Sequence, residues 1–159
     1  MKMTTWTNLT KQLMATLIVI TGLLSTMIST TASAEQMVAH GDYMIHYNAF
    51  NSSFIEPQIA ASYGIERSKT KGLINISVLQ KQADGSTKPV SAIISASVTN
   101  LISQKQNMDF MKIEETGAIY YIGEFGFTDD QVLRFDLQVQ PDPNQPAYSI
   151  QFEQRFYID

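Results

Sequence analysis

The chain has 159 residues, 44% of them hydrophobic, with a formal net charge of −4 and no cysteine. The absence of cysteine excludes a disulfide scaffold, a thiolate nucleophile and a sulfur-ligated metal centre. The acidic balance argues against nucleic acid and anionic membrane surfaces as partners, because both select for basic patches.

Residues 1–34 are predicted to be a secretory signal peptide. Lys2 and Lys11 give a positive amino-terminal region, residues 13–28 form an uncharged apolar run, and small residues precede the expected cut after Ala34. The alternative is an uncleaved membrane anchor, although the apolar run is shorter than the roughly 20 residues that a membrane span requires. We predict cleavage and export to the periplasm.

Residues 35–159 are predicted to form a single domain. They keep 9 basic and 15 acidic residues, because two lysines leave with the signal, so their net charge is about −6. A chain of this length can bury roughly two-thirds of its unfolded surface in one core. No second long apolar run is present, so stable membrane insertion after cleavage is not expected.

The first part of this domain is predicted to be a loose leader at residues 35–41, followed by a strand at residues 42–51. Residues 57–64 begin with proline and end with glycine, which favours a short helical turn that crosses from one sheet to the other. Alternation of apolar and polar residues, with glycine-containing turns between the runs, predicts the strands that follow. These strands span residues 73–81, 90–101, 108–114 (an edge strand) and 118–127.

The clearest pattern is a hairpin at residues 131–157. Apolar residues alternate with polar ones in two runs, as expected for strands with one buried and one solvent-exposed face. Three prolines between the runs prevent a continuous ladder. The residues predicted to face the core are Leu133, Phe135, Leu137 and Val139 in the first strand, and Tyr148, Ile150, Phe152 and Phe156 in the second.

About seven strands with antiparallel turns and no internal repeat predict an all-β fold. We expect an antiparallel two-sheet β-sandwich, immunoglobulin-like in size, with a small closed β-barrel as the alternative. The cysteine pair and core tryptophan of true immunoglobulin domains are missing, since the only tryptophan, Trp6, lies in the predicted signal. The likeness is therefore architectural.

His40, Asp42 and His46 are the candidate metal ligands, because they are the two imidazoles of the chain and a carboxylate between them. If they belong to one continuous strand, they point to the same face, with Asp42 and His46 about 13 Å apart. A shared ion would then require ligands from neighbouring strands, such as Glu124 or Asp136. The alternative interpretation is that the histidines are hydrogen-bonded surface residues.

No catalytic residue is predicted, and an enzyme is the less favoured class of protein. A hydrolase needs a hydroxyl activated by an imidazole, but Ser52 and Ser53 lack the Gly-x-Ser-x-Gly elbow. No glycine loop for phosphates and no nucleotide fingerprint is present, so no cofactor is predicted. Carboxylates near turns are a weaker candidate for an acid and base pair. They are Glu114, Glu115, Glu124, Asp129 and Asp130.

Aromatic and amide side chains are dense around the first predicted strand. Rings supply contact area and amides supply directed hydrogen bonds, so such a group can form a recognition surface. The candidate binding residues are Tyr47, Asn48, Phe50, Asn51 and Phe54. The alternative is that the aromatic residues belong to the core and the asparagines shape a turn.

Six segments together form a family-like pattern. They are GDYMIHYNAFNSSF at residues 41–54, YGIERSK at 63–69, LINISVLQK at 73–81, AIYYIGEF at 118–125, LRFDLQVQP at 133–141 and FEQRFY at 152–157. In combination they resemble the proteobacterial family called domain of unknown function 4426. The resemblance implies an export signal before one small β-rich domain, and hence a periplasmic location. It implies no activity, ligand or catalytic residue.

The resulting hypothesis is a non-catalytic periplasmic binding or protein-interaction module. Its partner would be a protein or another envelope component, engaged through an exposed strand edge or through residues 48–54. The alternative is a metal-binding protein or hydrolase that uses the region of His40, Asp42 and His46.

Overall fold

Antiparallel strands make up most of residues 36–158, the part of the chain that the computed structural model describes. The predicted signal peptide lies outside the described residues. Within them, ten strands and one α-helix follow in order: β1 (Gln36–His40), β2 (Tyr43–Asn51), α1 (Pro57–Tyr63), β3 (Lys71–Lys81), β4 (Thr87–Pro89), β5 (Ile93–Asn100), β6 (Lys105–Met108), β7 (Phe110–Glu115), β8 (Ala118–Gly126), β9 (Gln131–Gln140) and β10 (Tyr148–Phe156).

The described strands form two antiparallel sheets. Sheet A has six strands, in the order β1-β2-β3-β8-β7 with β4 also paired to β3, and sheet B has four, in the order β10-β9-β5-β6. Neither sheet closes on itself over residues 36–158, so the predicted two-sheet β-sandwich is confirmed and the barrel alternative is wrong. We call the face that each sheet turns toward the other its inner face, and the opposite one its outer face.

The predicted hairpin forms β9 and β10, which pair along their whole length. Phe135 lies opposite Phe152, and their rings stack with centroids 4.6 Å apart. The edge of the Phe125 ring, from β8 in sheet A, meets Phe135 at 5.1 Å. Alternation along β9 leaves the four residues that were predicted to face the core almost fully buried, so the predicted inner face of this strand is confirmed.

The packing of Phe125 also explains why the second residue of β3, Gly72, is a glycine. A Cβ atom at Gly72 would lie 2.2 Å from the Cζ atom of Phe125, well inside van der Waals contact. Any side chain there would displace the ring from the centre of the core.

The predicted loose leader is wrong, because residues 36–40 form β1 on the edge of sheet A. β1 and β2 are joined by the two-residue turn of Gly41 and Asp42, which places His40 opposite Tyr43. Gly41 has φ +57°, a conformation that favours glycine and is typical of the first turn residue in a type II′ hairpin.

One predicted strand is divided between the sheets, and another follows a short strand that was not predicted. The run at residues 90–101 forms β5 in sheet B, and the unpredicted β4 before it belongs to sheet A. The run at residues 108–114 overlaps β6 in sheet B and β7 in sheet A, with Asp109 as the single residue between them. Period-two alternation identifies a strand but does not indicate which sheet it joins, since both sheets have the same inner and outer pattern.

Helix α1 begins at Pro57 and is followed by Gly64 in the left-handed conformation, at φ +66°. The predicted helix is confirmed, but its predicted crossing between sheets is wrong, because β2 and β3 are neighbours in sheet A. The helix instead covers the outer face of sheet A, where Leu73 is fully buried beneath it with Ala60 and Ile65. In residues 36–158 no helix is long and apolar enough to cross a membrane.

Side-chain amides join the edges of sheet B to sheet A. On one side, Gln106 of β6 donates to the carbonyl of Gly126 and accepts from its N–H, both at 3.0 Å. On the other side, Gln154 of β10 donates to the carbonyl of Ala49 at 2.8 Å. These bonds satisfy backbone groups that the strand ladders leave open and fix the sheets to each other.

Candidate functional site

The three candidate metal ligands do not converge. His40 belongs to β1 and lies directly opposite Tyr43, so both side chains are on the inner face of sheet A. The His40 ring stacks there on Tyr148, with ring centroids 4.5 Å apart. His46 alternates with Tyr43 along β2 and therefore lies on the outer face, while Asp42 is exposed in the turn. The prediction that the three side chains share one face required a single continuous strand, but the turn after His40 divides that strand into β1 and β2.

The further ligands considered from sequence are also apart. Glu124 is on the outer face of sheet A, whereas Asp136 is on the outer face of sheet B. Among residues 36–158 there is no group of three or more His, Cys, Asp or Glu side chains that could hold a metal ion.

The candidate binding residues are divided between the interior and the outer face of sheet A. Tyr47 is only 7% exposed and its ring meets Phe152 at 4.9 Å; this burial raises its pKa. Asn51 is equally buried and donates to the carbonyl of Tyr157 at 2.8 Å. On the outer face, Asn48 lies opposite Asn75 and Phe50 packs under α1, while Phe54 is 67% exposed after the strand.

Ser52 and the carboxylate candidates for hydrolysis already have partners. The Ser52 hydroxyl is buried, accepts from the N–H of Ser68 at 2.9 Å and donates to the Ser68 carbonyl at 3.2 Å. Asp130 pairs with Arg155 at 2.6 Å and Glu114 pairs with Lys112 at 2.7 Å. These groups support loops and edges, and none of them places an activated hydroxyl beside an imidazole.

A cleft of about 520 Å³ lies on the outer face of sheet A, between the end of α1 and the crossing from β6 to β7. Three segments that are distant in sequence contribute to it. Its polar lining includes Tyr63, Asn107, Asp109 and Glu124, and its apolar lining includes Met111 and Ile122.

Strand register explains the apolar floor of the cleft. Met111 of β7 lies directly opposite Ile122 of β8, so the two side chains share the outer face and touch across the strands. One wall is held by Tyr63, whose hydroxyl donates a hydrogen bond to Glu115 at the far end of β7. This hydrogen bond, together with burial and the carboxylate charge, raises the pKa of Tyr63.

The electrostatics of the cleft are unbalanced toward negative charge. Asp109 has no hydrogen bond or ion pair with any described residue. Glu124 lies 3.8 Å from the Lys71 ammonium, but that ammonium is bonded more closely to Glu66, which is the main cause of its raised pKa. Two carboxylates above an apolar floor favour a cationic group carried on an aliphatic stem.

Apart from Glu124, sequence reasoning missed the polar residues of this cleft. Asp109 interrupts an otherwise continuous strand pattern, and that interruption was the available signal that the chain changes sheets there. Asn107 and Tyr63 had no comparable signal, because their neighbours in the cleft come from other segments.

Residues 37–159 are similar to a known protein family. The family described as domain of unknown function (DUF4426) matches residues 37–159. The chain belongs to this family. A crystal structure of a DUF4426 family protein from Pseudomonas aeruginosa is 34% identical, with a TM-score of 0.68, over 79% of this chain and 96% of that one. The sequence resemblance is thereby confirmed. A search of curated proteins finds no match.

The fold is also similar to that of FetP from uropathogenic Escherichia coli. The as-isolated protein is 13% identical with a TM-score of 0.56, over 78% of this chain and 94% of that one. A copper-bound variant of FetP is 13% identical with a TM-score of 0.53, over 77% and 95%. At this identity the likeness shows that the two-sheet fold is shared.

Proposed function

We propose that this DUF4426 protein is a non-catalytic periplasmic binding module that engages a protein or envelope component through the cleft beside α1. The observation that carries the proposal is the unpaired Asp109 beside Glu124 over the floor of Met111 and Ile122. Both carboxylates are exposed and so can pair with a lysine or arginine side chain of the partner, which is the partner's matching feature.

The periplasmic location is supported by the predicted signal peptide at residues 1–34 and by the family resemblance. The structurally similar FetP was produced recombinantly in the periplasm of Escherichia coli, which supports this location for a protein of the same fold. Cell fractionation of the tagged protein, with sequencing of its amino terminus, tests both location and cleavage. Retention in the cytoplasm, or an intact Lys2 and Lys11 region, would contradict this part of the proposal.

Site-specific photo-crosslinking in the intact host tests the cleft. A crosslinking side chain at Met111, 37% exposed, should capture a partner, whereas one at Ile93, 60% exposed on the outer face of sheet B, should not. Combining Asp109→Asn with Glu124→Gln should reduce capture at Met111 by roughly two- to tenfold, since each exposed ion pair contributes about 0.2–1 kcal/mol.

The control for this experiment is Glu153→Gln, which removes an exposed carboxylate from the outer face of sheet B. It should leave capture at Met111 unchanged. Equal capture at the two crosslinking positions, or equal losses for the cleft and control variants, would reject the cleft as the binding site.

Metal binding is a second candidate function. FetP has a copper-bound form on a similar two-sheet fold, which supports the capacity of such a scaffold to hold copper. Because His40, Asp42 and His46 are not brought together here, a metal would require a different ligand set. Calorimetry of the purified protein with copper and zinc tests this candidate, and the absence of heat at micromolar metal would reject it.

A further inference from the structure

Three soft metal-binding side chains lie at adjacent positions on the outer face of the β1–β2 hairpin. Met37 is directly opposite His46 across the two strands. Met44 precedes His46 by two residues on the same face and lies opposite Ala39, which is two residues after Met37. The register of one hairpin therefore brings two thioethers and one imidazole together.

The spacing of these positions suits a shared ion. Directly opposed residues have Cβ atoms about 4.5–5.5 Å apart, and neighbours on one face of a strand are about 6.6 Å apart. Methionine has three rotatable bonds, so both sulfur atoms can turn toward a point beside the imidazole of His46. Ser77 of β3 lies directly opposite His46 on its other side.

The two methionines lie near the surface of the hairpin. Met37 is 50% exposed at the edge of sheet A, and Met44 is half-buried opposite Leu79 of β3. Neither belongs to the core between the sheets or to the apolar cluster under α1. Both thioethers are therefore outside the two buried clusters, where an ion can reach them.

We propose that Met37, Met44 and His46 form a binding site for copper(I). Thioether sulfur is a soft ligand that selects copper(I), and imidazole also binds copper, whereas calcium and magnesium require oxygen ligands that this set does not supply. This site is separate from the cleft beside α1. It rests on the second candidate function, metal binding, and supplies the ligands that His40 and Asp42 do not.

Competition for copper(I) with a chromophoric chelator, under anaerobic conditions with ascorbate, tests the site in the protein expressed from its full gene and purified. The wild type should bind one copper(I) per chain. The double variant Met37→Leu with Met44→Leu, and separately His46→Gln, should each weaken binding by at least about 100-fold, because even loss of an outer-shell partner costs 10–100-fold. The control Met111→Leu should bind as the wild type does.

A second measurement separates direct ligation from indirect effects. On addition of silver(I), a diamagnetic substitute for copper(I), the methyl resonances of Met37 and Met44 should shift, while that of Met111 should not. Leucine conserves methionine volume, so the double variant should keep the wild-type circular dichroism spectrum. Wild-type affinity in the double variant would overturn the site while leaving metal binding intact, and no copper(I) binding by the wild type would overturn both.

Discussion

The outer faces of the two sheets differ in how their side chains are satisfied. On sheet B, Arg134 donates two hydrogen bonds to one oxygen of Glu153, at 2.9 and 2.7 Å. On the same face Asp136 accepts from Gln138 and Gln151, both at 2.9 Å. Cross-strand neighbours satisfy one another there, which leaves little for an external partner to replace.

The outer face of sheet A is less completely paired. It has its own pairs, such as Tyr63 with Glu115, but Asp109 has no side-chain partner among the described residues, and the two methionines of the β1–β2 hairpin lie outside both apolar clusters. The candidate sites lie on this face, beside the side chains that are left unpaired. The contrast gives a practical way to look for binding surfaces on a sandwich that carries no catalytic motif.

The interior between the sheets sets the scale for measuring this contrast. Phe135 is fully buried and stacks on Phe152, so Phe135→Ala should lower the free energy of unfolding by about 3–5 kcal/mol. Urea denaturation monitored by circular dichroism measures the loss. A change under about 1 kcal/mol would mean that the two sheets do not share one core.

The outer face of sheet A should behave as a second, smaller core. Leu73→Ala should cost about 2–3 kcal/mol, near the low end for Leu→Ala, because a short helix can relax into the space. Ser95→Ala, at an exposed outer position of sheet B, should change stability by less than about 0.5 kcal/mol. Equal effects would remove the distinction between the two faces.

The outer face of sheet B should contribute little through each ion pair. A double-mutant cycle with Arg134→Ala and Glu153→Ala should give a coupling of about 0.2–1 kcal/mol at low salt, since both side chains are more than half exposed. The coupling should fall further at high ionic strength. A larger, salt-independent coupling would show that this face is not an ordinary solvated surface.

The smallest effect concerns the attachment of α1 to sheet A. The hydrogen bond to Glu115 raises the pKa of Tyr63 above the ordinary 10.0. Its contribution to stability is present below pH 10.0 and is lost as pH rises through the higher folded pKa. Stability above pH 10.0 should fall less steeply in Tyr63→Phe than in Tyr120→Phe, a control at an exposed tyrosine on the same face. Superimposable alkaline melts would contradict this role.

Much of the strand structure could be predicted from the sequence because burial of one face imposes a period of two. The β9–β10 hairpin and the inner positions of β8 follow from that pattern alone. The limits of α1 were also predictable, since Pro57 and Gly64 have conformational preferences that act locally. Each of these features depends on residues that are neighbours in the chain.

The assignment of strands to sheets was not predictable in the same way. β6 and β7 were predicted as one edge strand, because alternation is identical whichever sheet a strand joins, and the three-residue β4 was not predicted. β1 was missed because His40 and Gly41 resemble a polar leader until their pairing with β2 is known. Tertiary pairing decided these cases.

The candidate sites failed to appear in the sequence for the same reason. Tyr63, Asp109 and Glu124 meet only after α1 folds over sheet A and the chain crosses between sheets. The pairing of Met37 with His46 depends on the register of a strand that local pattern did not reveal. Sequence proximity instead grouped His40 with His46, which the hairpin places on opposite faces.

The crossing at Asp109 also has a consequence for local opening of the protein. Because one residue separates β6 from β7, an edge strand of sheet B cannot move far without pulling the edge strand of sheet A with it. Amide hydrogen exchange should therefore report β6 and β7 as one opening unit, even though they share no ladder. A ligand held by Asp109 would slow amide hydrogen exchange in β6 of sheet B and in β7 of sheet A at the same time. Occupancy of the cleft would therefore be measurable in both sheets.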